Sequence, residues 1–83
     1  MNMMMDILKE FEKRNEIESR LKILKAGANH LGADFKISEA FSNDELPPQL
    51  LSFYVIRDRS EEAWEAIEWW ISLPQELRVE YDR

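Results

Sequence analysis

Residues 3 to 31 run for more than a third of an 83-residue chain without a proline, and they are rich in Met, Leu, Glu, Lys and Ile. That composition predicts one long helix. Glu16–Arg20 and Glu18–Lys22 have the spacing and order of favourable i,i+4 pairs. Gly32 follows Leu31 as the expected left-handed C-cap.

The apolar pattern on this helix breaks in the middle. Met4, Ile7, Leu8 and Phe11 share one face at about 100° per residue, and Ile17, Leu21, Leu24, Ala28 and Leu31 share another. The second stripe is turned from the first by roughly a quarter turn or more. The intervening EKRNE at 12 to 16 is wholly polar. A straight helix with this pattern faces two surfaces. Either it kinks near Asn15, or its first half packs on something other than its own core, and a partner chain is the simplest such surface. Met1, Met3, Met4 and Met5 add a soft apolar end of the kind that adapts to a partner.

The remainder reads as shorter helices. In ADFKISEAFSNDE at 33 to 45, Phe35, Ile37 and Phe41 are expected in the core, and Ser38 is a cap candidate for a short turn. In LPPQLLSFYVIRD at 46 to 58, the two prolines suit a helix's first turn, with Asp44 as a possible cap. Leu46, Leu50, Phe53 and Tyr54 then share a face. SFYVI favours strand by propensity, so a hairpin pairing 34–41 with 51–57 is the rival. An isolated two-stranded hairpin supports itself poorly, which tilts the reading to helix. Asp58 with Glu61 forms a capping-box pattern, and Ser60 is a second cap candidate. Pro74 ends the next helix and opens a last one, PQELRVEYD. The expected fold is all-α: one domain over 1–83, a small bundle of four to five helices with a long N-terminal helix. The alternative is α+β, with the hairpin between the long helix and C-terminal helices.

Charge and composition narrow the function. Residues 1 to 42 carry seven acids and seven bases; residues 43 to 83 carry ten acids and four bases, so the whole net charge of −6 lies in the second half. Such a chain is repelled by nucleic acid and by anionic membranes, and suits a basic protein partner. No cysteine is present, which excludes thiol chemistry and zinc–thiolate sites. No apolar run reaches the ~18 residues that span a bilayer. The N-terminus lacks the basic region and cleavage site of a signal peptide, so the expected location is cytoplasmic.

SEEAWEAIEWWISLP at 60 to 74 holds three tryptophans, four glutamates and no base. On a helical wheel Ala63, Ile67, Trp70 and Ile71 cluster as a core face, with Ala66 and Trp64 at its edges. Glu61, Glu65 and Glu68 form an acidic stripe opposite. Trp69 projects away from the core centre. It is either covered by the C-terminal segment or an exposed anchor for a partner, where tryptophan is enriched.

Other groups point to no chemistry. His30 with Asp34 is too little for a metal site or a general base. GANHLG lacks the Lys-Ser/Thr and preceding strand of a phosphate loop, and Gly27 reads as a tolerated glycine or a close helix contact. Arg57 and Arg59 are expected to pair with Asp58, Glu61 or Glu62. No catalytic, cofactor or metal residues are expected. The chain reads as a non-enzymatic interaction module: a small acidic inhibitor, immunity or adaptor protein. Glu61, Glu65, Glu68 and Trp69 would meet a basic protein surface, and Met4, Ile7, Leu8 and Phe11 would make a homodimer. A nucleic-acid mimic and a structural subunit of a larger assembly are the alternatives.

Overall fold

The computed structural model describes residues 3–42 and 46–83, except for the side chain of Met3. It is all-α: α1 (Met3–Leu31), α2 (Ile37–Ala40), α3 (Pro48–Ile56), α4 (Ser60–Ser72) and α5 (Gln75–Tyr81). No strand occurs among the described residues, so the 34–41/51–57 hairpin does not form. Pro48 occupies the first turn of α3, and the Pro47 carbonyl accepts the Leu50 and Leu51 N–H groups (3.0 and 2.8 Å). The two prolines thus remove backbone donors where a helix has no internal acceptor for them. That start outweighs the strand propensity of SFYVI.

The core is built from Leu24 and Ala28 of α1, Ile37 and Ala40 of α2, Phe41, Leu50 and Tyr54 of α3, and Ala63, Ala66, Ile67 and Trp70 of α4. The second stripe of α1 and the expected apolar faces of α3 and α4 therefore all point inward. Phe35, expected in the core, is instead 42% exposed. Its ring lies against Gly32, where an added Cβ would come within 2.9 Å of it. Gly32 does not have a positive φ, so its role is this close approach and not a left-handed cap.

Helix α1 runs unbroken through Asn15, and at 1.5 Å per residue its 29 residues span about 43 Å. Every described side chain from Met4 to Glu16 is exposed. The radius of gyration, 14.2 Å, exceeds the about 12 Å of a compact chain of this size, because the first half of α1 stands out as an arm.

Two contacts fix the body. The buried Tyr54 hydroxyl donates to the Ile23 carbonyl at 2.7 Å, which locks α3 across α1. Gly27 makes room for it: a Cβ there would collide with the Tyr54 hydroxyl oxygen and lie 3.2 Å from Phe41 Cζ. The α3–α4 turn is the second. Asp58 has φ +54°, its N–H donates to the Val55 carbonyl (3.0 Å), and the Arg59 N–H donates to the Tyr54 carbonyl (2.8 Å). This is a Schellman ending with aspartate where glycine is usual. It corrects the capping expectations: Asp58 terminates α3, and α4 starts at Ser60 behind Arg59 with no side-chain cap. Lys36, not Ser38, precedes α2, and its N–H is accepted by the Glu39 carboxylate (3.2 Å). Asp44 lies outside the described residues.

Gly27→Ala should lower stability by about 1–2 kcal/mol in urea denaturation, since overpacking against a buried ring outweighs the gain in helix propensity. Asp58→Gly should raise it by about 0.5–1 kcal/mol by relieving the left-handed backbone. Burial pushes the Tyr54 phenol up to about 12, and a backbone hydrogen bond at Gly27 pulls partly against it. Below pH 10 the phenol is neutral in both states. Between pH 10 and pH 12 the unfolded chain loses this proton and the folded chain keeps it, so stability falls as pH rises. The loss is on the order of 2–3 kcal/mol. Tyr54→Phe should flatten that part of the alkaline decline, read by urea unfolding at pH 9 and pH 11.5.

Candidate functional site

Two surfaces hold the residues singled out by sequence. The first is the outer face of α4. Glu61, Glu65 and Glu68 are all exposed there. At about 100° per residue Trp64 and Trp69 flank this stripe on opposite sides. Of the two readings of Trp69, the structure shows the covered one, and it leaves Trp64 at the edge of the core face partly open. Trp69 is half-buried: Tyr81 of α5 lies against it (centroids 5.9 Å apart), Trp70 is 6.4 Å away, and the Arg20 guanidinium sits 5.6 Å from its ring. The C-terminal helix therefore covers Trp69, and it is not an open anchor. Trp64 is 38% exposed beside Glu61 and Glu68, while Trp70 is fully buried. The open aromatic on the acidic face is thus Trp64. The signal was in the spacing, since Trp64 stands three residues after Glu61 and four before Glu68.

Between α1 and α4 the acidic face continues into a groove of about 520 Å³. Glu12 and Glu16 of α1 and Glu62 and Glu65 of α4 line it, with Arg20 among them. Glu65 alone of the three predicted acids enters this groove; Glu61 and Glu68 lie outside its lining. Glu12 and Glu16 were missed because they belong to the polar break in the α1 stripe, which reads as solvated surface until α4 is laid beside it.

The nearby bases are already engaged. Arg59 pairs with Glu62 at 3.1 Å, as expected. Arg57 does not join the carboxylates: it donates to the Phe53 carbonyl (3.0 Å), and its guanidinium lies 3.8 Å from the Phe53 ring centre. Arg20 leaves Glu16 for Trp69; among the described residues neither Glu16–Arg20 nor Glu18–Lys22 forms an ion pair. His30 stacks on Phe53, with centroids 4.5 Å apart.

The second surface is the arm. Met4, Ile7, Leu8 and Phe11 are all more than half exposed, Phe11 at 60%. Met5 joins them, and Met1 lies outside the described residues. Among the described residues no helix is long and apolar enough to cross a membrane. The chain matches no known protein family, and no curated protein and no solved structure matches it.

Four carboxylates in one groove repel one another. Glu65→Lys should therefore stabilise the isolated protein by about 0.5 kcal/mol, with a smaller gain in 0.5 M salt, as screening removes the repulsion. Thermal melts at low and high ionic strength read both effects.

Proposed function

We propose that this chain is a non-enzymatic protein-interaction module, a small acidic inhibitor, immunity or adaptor protein acting in the cytoplasm. Its partner is a protein with a basic surface. The observation that carries this reading is the joined acidic surface: Glu61 and Glu68 beside Trp64 on α4, continuing into the groove of Glu12, Glu16, Glu62 and Glu65. The acids cost an isolated helix a few tenths of a kcal/mol per like-charged pair. A basic partner would turn that cost into complementarity and faster encounter. Trp64 supplies the apolar area that charge alone does not, in the manner of an interface hot spot.

Self-association is the second part of the proposal. The arm carries Met4, Ile7, Leu8 and Phe11 outward, and with four acids and three bases over residues 4 to 16 it is nearly balanced in an acidic protein. Two copies would meet there with little net repulsion.

The triple substitution Glu61→Lys, Glu65→Lys and Glu68→Lys should leave the helical circular dichroism intact and abolish retention of basic proteins in affinity capture from lysate. Trp64→Ala should weaken the same capture at least tenfold. Retention of the same basic protein by the triple variant, as tightly as by wild type, would reject the acidic face as the binding surface.

A further inference from the structure

Helix α3 has a second apolar face that none of the described residues covers. Its sequence, PQLLSFYVI, carries no charge. One side packs inward through Leu50, Phe53 and Tyr54. The other presents Leu51, Val55 and Ile56, with Ile56 80% exposed. A helix that is apolar all round is normally buried all round. This nine-residue helix is covered on one side only.

We infer that the outer face of α3 is the dock for the α1 arm of a second copy, with the two chains exchanging arms reciprocally. The inference rests on the self-association proposed above and names the surface that receives the arm. Two observations select this occupant. First, the arm cannot reach its own α3. It belongs to a continuous helix whose other end is fixed in the core by Leu24 and Ala28, so folding back would break α1.

Second, the areas fit. The arm stripe alone offers on the order of 500 Å² per copy, less than the ~800 Å² per partner of a stable interface. Adding Leu51, Val55 and Ile56 brings each copy to on the order of 800 Å². The lengths agree as well: Met4 to Phe11 rises about 10 Å along its helix, and Leu51 to Ile56 about 8 Å.

The acidic α4 face stays outside this contact and free for another partner.

The test uses full-length variants and measures native mass by sedimentation across a concentration series. The arm variant is Ile7→Glu with Leu8→Glu, and the dock variant is Val55→Glu with Ile56→Glu. All four positions are exposed, and circular dichroism checks the fold. Val55→Ser with Ile56→Ser serves if the charged dock variant does not fold. Wild type should reach twice the 9.9 kDa chain mass as concentration rises. Each variant alone should associate at least tenfold more weakly. An equimolar mixture should associate more tightly than either variant alone, because the intact arm of one chain meets the intact dock of the other and one of the two contacts is restored. Full association of the dock variant would overturn the exchange and leave arm-to-arm pairing in its place. A mixture that associates no more tightly than either variant alone would also overturn it. A wild type monomeric at every concentration would reject the self-association reading itself.

Discussion

A helix of 29 residues is longer than the remaining four can cover. Helices α2 to α5 have 4, 9, 13 and 7 residues, and they gather around the second half of α1. Everything distinctive about the molecule follows from that mismatch. The second half of α1 enters the core through Leu24 and Ala28, and Gly27 lets Tyr54 close the crossing. The first half has the same backbone and no body to lie on. A helix of about a dozen residues is marginal in water by itself, and this one persists as an extension of a packed helix. Its apolar stripe is the natural place for a second surface to add stability.

The charge follows the same geometry. The rotation between the two stripes of α1 puts Glu12 and Glu16 at the junction of arm and body, next to Glu62 and Glu65 of α4. Of the neighbouring bases Arg59 pairs with Glu62, while Arg57 turns to Phe53 and Arg20 to Trp69. The other acids of this surface are left with little local compensation. This makes the protein less stable than its helices alone would allow.

Much of this was legible in the sequence, and the failures share a cause. The long helix, the rotated stripes, the proline start of α3 and the core face of α4 depend on local periodicity and turn chemistry, and each was readable. The choice between the two flanking tryptophans was left open. Both sit at the edge of the α4 core face, and which edge is covered depends on where α5 folds back. Tyr81 decides that, by a contact twelve residues away that no local pattern encodes. Phe35 was misjudged for a similar reason, because its ring serves the glycine at position 32 and not the common core. Asp58 read as a cap for the helix that follows and instead ends the helix that precedes it. The groove needed two helices side by side, and the outer face of α3 had no reading of its own while strand and helix were both open.

Hydrogen–deuterium exchange across a concentration series tests the central claim most directly: that residues 4 to 16 form an arm buried only by association. The account predicts that arm amides exchange quickly in dilute solution and become protected as concentration rises, while the amides of residues 21 to 31 keep the same protection throughout. Arm amides as protected as the body at the lowest concentration, with no change on concentrating, would contradict it.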